Sequence, residues 1–212
     1  MIARTERDHE VLEALAFKVR MLSLDQVART WWGQATDAPR LARRRLSRLE
    51  DVGLLERREV LSRPLLELVE PVSSWQPGAP KPDLGAASWK LRTRWTEAPR
   101  ATPVYVATRR ALNELGGRGG RLPTLGQETH DLHTSELYLR LLREQPERAA
   151  RWVGEERLKA QRGRGEKVPD GLILDELGEP ELAVEFAGAY PKRRLEDFHR
   201  DAEERGLAYE LW

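Results

Sequence analysis

The sequence contains no cysteine. That excludes a disulfide scaffold, a thiol nucleophile and cysteine-bound zinc or iron–sulfur centres, and it fits a reducing, cytoplasmic location. There is also no run of about 18 apolar residues, and charge falls within the first eight positions, so neither a membrane span nor a secretory signal is expected. Net charge is nearly absent too, at +1 over 212 residues, although a third of the chain is charged. The balance hides an asymmetry. Residues 1–123 hold 22 Lys and Arg against 15 Asp and Glu, whereas residues 124–212 hold 14 against 20. A basic half joined to an acidic half predicts two domains with different partners, and the basic half is the one whose field attracts a polyanion.

The first fifty residues predict three short helices. Thr5 with Asp8 and Ser23 with Gln26 have capping-box spacing, and Thr36 or Asp37, with Pro39 in the first turn, opens a third helix that Gly53 stops. Two apolar-rich runs follow, 54–61 and 65–69, around Ser62-Arg63-Pro64, and they predict a hairpin. Three helices and then a hairpin is the order of a winged helix. Residues 71–85, with four prolines and two glycines, predict a loop. Ser88 to Trp95 alternates Trp89, Leu91 and Trp95 with Lys90, Arg92 and Arg94, which predicts a strand whose tryptophans face the core and whose basic side either faces solvent or extends a phosphate-contacting surface. Residues 104–107 predict a further strand and 108–115 a helix. Gly116-Gly117-Arg118-Gly119-Gly120 reads as a linker, giving a first domain over 1–115, a linker over 116–126 and a second domain over 127–212. In that second domain the expected order is a helix at 135–144, strands at 151–158, 172–174 and 182–186 with a turn at Gly163–Gly165, a helix at 193–205 and a strand at 208–212.

On a helical wheel, Ala42, Leu46 and Leu49 of the third helix form a narrow apolar stripe. Arg40, Arg44 and Ser47 lie opposite it, with Arg43 and Arg48 on its flanks. Guanidinium groups fork to guanine edges or to phosphate oxygens, so this face suits the major groove of double-stranded DNA. His130 and His133, three apart, are expected to cap and pack, and Trp31, Trp32, Trp75, Trp152 and Trp212 to fill cores.

In the second half, Asp170 begins one predicted strand and Glu185 ends the next, so adjacent pairing brings the two carboxylates about 3–5 Å apart, as magnesium ligands must be. Glu155 or Glu156, or Glu136 on the preceding helix, could add a third. Pro169-Asp170, fourteen residues, and then Glu185-Phe186-Ala187 resembles the signature of the PD-(D/E)XK nuclease superfamily. With Trp152, Glu155 and the basic segment after Tyr190, the whole chain resembles the replication-relaxation family of bacterial mobile elements. That resemblance implies an α+β or α/β chain: an N-terminal winged helix followed by a small restriction-endonuclease-like αβββαβ domain.

One departure matters. The superfamily's lysine belongs two residues after the glutamate, where this chain has Ala187. Without it the attacking water loses the group that orients it. The expectation is therefore a DNA-binding protein coupled to a non-catalytic nuclease-like domain, with no cofactor required for DNA binding and a protein partner or second copy possible. The alternative is a magnesium-dependent endonuclease using Glu155, Asp170 and Glu185, with Lys192 as the relocated lysine and Asp170 and Glu185 holding the metal. A third reading is a protein-interaction adaptor that binds no DNA.

Overall fold

The structure, a computed structural model, describes residues 3–117, 126–161 and 167–212. Residues 118–125 of the expected linker and the turn at Gly163–Gly165 lie outside the described residues. What is described is a mixed α+β protein with two sheets. It divides into two compact units, one comprising Met1–Leu65 with Pro99–Pro146 and the other Leu66–Ala98 with Glu147–Trp212. This division does not follow the expected boundary at 116–126, because each unit is built from two separate stretches of chain.

In unit one, Thr5 caps α1 (Glu6–Glu13) through the full capping box with Asp8. A π-helical turn, Ala14–Lys18, leads to β1 (Leu22–Ser23), and Ser23 with Gln26 makes the second capping box at α2 (Leu24–Trp31). Next comes α3 (Ala38–Asp51), with Pro39 in its first turn. Gly53 then takes φ +71, a left-handed conformation that glycine adopts without steric cost, and turns the chain into β2 (Leu55–Ser62). From β2 the chain leaves for unit two, where it forms β3 (Ser73–Trp75) and α4 (Leu84–Thr93), and returns as β4 (Arg100–Ala107), α5 (Arg109–Leu115) and α6 (Glu128–Glu144). The sheet order is β1-β4-β2, antiparallel throughout.

The expected hairpin is therefore corrected. β2 does not fold back on residues 65–69; it pairs with β4, from Leu55 opposite Ala107 to Ser62 opposite Arg100. The helix expected to open the second domain also belongs to unit one. On α6, Ser135 donates to the Met21 carbonyl at 2.6 Å, and Leu132 packs with Met21, Val104 and Val106. His133 is buried with its Nδ1 2.6 Å from the Thr129 carbonyl, a packing role as expected.

In unit two the chain continues through α7 (Pro146–Ala150), β5 (Trp152–Gly154), α8 (Glu155–Gln161), β6 (Gly171–Leu174), β7 (Pro180–Glu185), α9 (Lys192–Glu204) and β8 (Ala208–Leu211). The five strands lie in the order β3-β8-β7-β6-β5, with β7 and β8 parallel and the other pairs antiparallel. Three expectations change here. The 71–85 loop contains β3, an edge strand whose Trp75 is buried against Tyr209 and His199. The strand expected at 151–158 ends at Gly154, and Glu155 opens a helix.

The alternating segment 88–95 is also not a strand. Asp83 caps α4 by accepting from the Gly85 and Ala86 amides, and Leu84, Ala87, Ser88 and Leu91 recur at helical spacing on its buried side. In the helix Leu91 is fully buried while Trp89 is 68 % exposed, so that tryptophan is not core.

Candidate functional site

The arginine face of unit one has the geometry its sequence predicts. Ala42, Leu46 and Leu49 are buried, and Arg40, Arg43, Arg44, Ser47 and Arg48 are all exposed. Arg40 pairs with Asp37 at the start of the helix. Among the described residues, the side chains of Arg43, Arg44 and Arg48 form no hydrogen bond or ion pair, so three guanidinium groups stand in solvent along one helix. Arg45 behaves differently. Its guanidinium is held by Asp8 on α1, with Nε 2.8 Å from Oδ1, and donates to the Ala3 carbonyl at 2.7 Å. Burial pushes the Asp8 carboxyl up, but hydrogen bonds from Arg45 and Thr5 outweigh it and hold the group below its ordinary value of 3.8. That buried pair locks α3 against α1 and leaves the neighbouring arginines exposed.

The carboxylates of unit two are also brought together. Gly171 pairs with Val184 in the ladder, which sets Asp170 beside Glu185 at the edge of that pairing. The Phe186 amide donates to Asp170 Oδ2 at 2.7 Å, and the Asp170 amide donates to Glu185 Oε2 at 3.2 Å. Both side chains are buried, at 5 % and 6 % exposure. Gly171 next to them has no room for a side chain, because a Cβ there would lie 2.1 Å from the Trp152 ring. The indole thus packs directly over the Gly171 backbone, next to Asp170.

Several neighbours were not expected. The Tyr190 hydroxyl donates to Glu185 Oε1 at 2.8 Å and accepts from Arg194 Nη2 at 2.5 Å, with the Arg194 guanidinium stacked 3.5 Å from the Tyr190 ring. Burial, and then the charges of Glu185 and Asp170, push the Tyr190 phenol up, so it stays protonated and serves as a donor. The link between carboxylate and cation here runs through tyrosine. The segment after Glu185 is itself fastened to α4. Ser88 donates to the Tyr190 carbonyl at 2.9 Å, and Arg94 donates to the Gly188 and Trp212 carbonyls at 3.2 Å while stacking 4.7 Å from Phe186. Burial lowers the Arg94 guanidinium to about 10, which leaves it charged at neutral pH.

The other candidate ligands are placed differently. Glu155 is joined to Asp170 through its backbone, its amide donating to the Asp170 carbonyl at 3.1 Å, but its carboxylate pairs with Lys159 at 2.6 Å. Glu136 belongs to unit one, where it takes hydrogen bonds from Gln26, Arg29 and Arg143. Lys192 pairs with Glu196 one turn along α9, at 3.6 Å. Ala187, at the position of the superfamily's lysine, is fully buried in the apolar cluster, with its amide on the Trp212 carbonyl. Among the described residues, no three His, Asp or Glu converge closely enough to hold a metal ion.

Tyr190 and Arg194 have a weak signature in the sequence. They stand four apart across a helix start, and only the fold, which carries the start of α9 back to Glu185, makes that spacing informative. Compared with family models, curated proteins and solved structures, the chain matches none of them, and the meaning of both regions rests on their own residues.

Proposed function

We propose that this chain binds double-stranded DNA through α3, with unit one acting as a winged helix and unit two as a nuclease-like domain without catalysis. The carrying observation is the α3 face, where Arg44 opposite a fully buried stripe, and Arg43 and Arg48 on its flanks, stand exposed and without hydrogen-bond or ion-pair partners among the described residues. Unpaired arginines on a firmly seated helix can fork to phosphate or guanine with little reordering. The pairing of β2 with β4 after three helices, in a sheet completed by the short β1, supports the reading, and so does the charge. Unit one holds 20 Lys and Arg against 15 Asp and Glu, and unit two 16 against 20. The combination is what the resemblance to the replication-relaxation family implies, and a role in replication of a mobile element or in regulation goes with it.

For unit two, the non-catalytic reading is supported by where the carboxylate oxygens point. They accept from two backbone amides and a tyrosine, and Lys192 turns toward Glu196. The rival reading, a magnesium-dependent endonuclease, has one observation in its favour, the adjacency of Asp170 and Glu185.

The test is a gel-shift and cleavage assay on duplex DNA with and without magnesium. Wild type binds with a salt-dependent affinity and leaves the DNA intact. Arg44→Ala with Arg48→Ala weakens binding and flattens the slope against log salt by about 0.9 for each phosphate contact removed. A folded double mutant that binds like wild type across the salt range removes α3 from the interface. Magnesium-dependent cutting abolished by Asp170→Ala replaces the non-catalytic reading with the endonuclease.

A further inference from the structure

A groove of about 440 Å³ opens in unit one between the first turn of α1 and α3, with Arg7, Trp32, Leu41, Arg44 and Arg48 among its walls. That volume lies within the range of small-molecule sites, about 300–1,000 Å³. Its chemistry is divided. At one side the Arg7 guanidinium lies 5.5 Å from the centroid of the half-buried Trp32 ring, a flat cation on a flat indole. At the other, Arg44 and Arg48 sit one helical turn apart on α3, exposed and without side-chain partners among the described residues. Arg45 also lines the groove, but Asp8 neutralises it and fixes the wall. Among the described residues that line it, Glu6 is the single acidic side chain, so the guanidinium groups of Arg7, Arg44 and Arg48 face one carboxylate.

We propose that this groove binds a single nucleotide, with the base stacked on the Arg7–Trp32 pair and the phosphate held by Arg44 and Arg48. An indole and a guanidinium plane are both stacking surfaces for a base, and two adjacent arginines suit a phosphate. A simple anion would use the arginines and leave Trp32 idle, whereas a nucleotide engages both sides. The same ligand chemistry has two sources, a free nucleoside monophosphate or an unpaired nucleotide at the end of a DNA strand. The proposal rests on the DNA-binding reading only through the shared Arg44 and Arg48.

The experiment uses the full chain as wild type, Arg7→Ala, Trp32→Ala and Trp32→Phe, each checked by thermal melting. Arg7 is exposed, so that variant keeps the fold even if Trp32→Ala does not. Each protein is titrated with deoxyadenosine monophosphate, with inorganic phosphate, with a blunt duplex and with the same duplex carrying a one-nucleotide 5′ overhang. The expected result is an overhang preference of about fivefold or more over blunt duplex, the effect of one stacked base. Arg7→Ala and Trp32→Ala erase that preference, and Trp32→Phe keeps part of it. Binding of the monophosphate that depends on Trp32 and competes with the overhang assigns the groove to free nucleotide as well. The proposal is overturned if blunt and overhang duplexes bind equally and the monophosphate does not bind. It is also overturned if inorganic phosphate binds as tightly as the monophosphate with no dependence on Trp32. Loss of blunt-duplex binding in the Arg44/Arg48 variant, with no effect of Arg7 or Trp32 on any ligand, sinks the groove and leaves the DNA-binding reading standing. If wild type binds neither duplex, that reading falls, and the monophosphate arm alone decides the groove.

Discussion

The outer face of α3 and the carboxylate edge of the second sheet both concentrate charge, and they do so in opposite ways. On α3 the charges are exposed, and Arg43, Arg44 and Arg48 have no side-chain partners among the described residues. At the sheet edge Asp170 and Glu185 are almost completely buried and accept from the backbone and from Tyr190. A buried charge is tolerated only where hydrogen bonds replace its lost water, so the pair of unit two is bound into the fold. An exposed arginine contributes little to stability and keeps its donors for a ligand. α3 carries both kinds side by side, since Arg45 is spent on Asp8 while its neighbours are not.

That contrast predicts that the buried groups set stability and the exposed ones set affinity. The largest loss of stability is expected from Asp8→Ala, about 3 kcal/mol, because it strips Arg45 of a fully buried partner. The same pair gives a pH signature. Since the folded Asp8 carboxyl lies below its ordinary value of 3.8, its contribution is complete above that pH and is lost as the pH falls through the depressed folded value. Acid unfolding of Asp8→Asn should therefore be flatter than that of wild type in this window, and identical acid limbs would remove the pair from the stability of unit one.

Asp170→Ala comes next, at about 1–3 kcal/mol, because it leaves the buried Phe186 amide unpaired. Denaturant titration measures it, and an unchanged midpoint would mean that the carboxylate is not built into the fold. Tyr190→Phe should cost about 1 kcal/mol, the net worth of a hydrogen bond, since the ring stays and only the bridge between Arg194 and Glu185 is lost. The smallest effect on stability belongs to Arg44→Ala with Arg48→Ala, within about 0.5 kcal/mol, in the same variant that loses duplex binding. A large drop in its melting temperature would show that the two arginines are structural and would dissolve the contrast.

Much of unit one was legible in the sequence because its signals are local. Both capping boxes, Pro39 in the first turn of α3, the stop at Gly53 and the Ala42–Leu46–Leu49 stripe lie within a few residues of the features they specify. The face of α3 follows from that stripe, since a helix with one side buried has its opposite side determined. The adjacency of Asp170 and Glu185 was legible for a related reason, because two strands joined by a short turn pair in antiparallel register.

What remained hidden depends on partners distant in the chain. The pairing of β2 with β4 spans the whole excursion into unit two, and no local pattern distinguishes that partner from a nearer apolar run such as 65–69. The helix α4 was masked by the prolines before it and by an accidental alternation of tryptophan and arginine. Its fate was decided by the Asp83 cap and by burial of Leu84, Ala87 and Leu91, not by the period-two pattern. Capping, stripe and turn chemistry act within a few residues and can be read in one dimension. Which strand fills a sheet edge, which tyrosine meets Glu185 and whether Trp89 faces water are set by packing between segments far apart in sequence, and those only the tertiary structure decided.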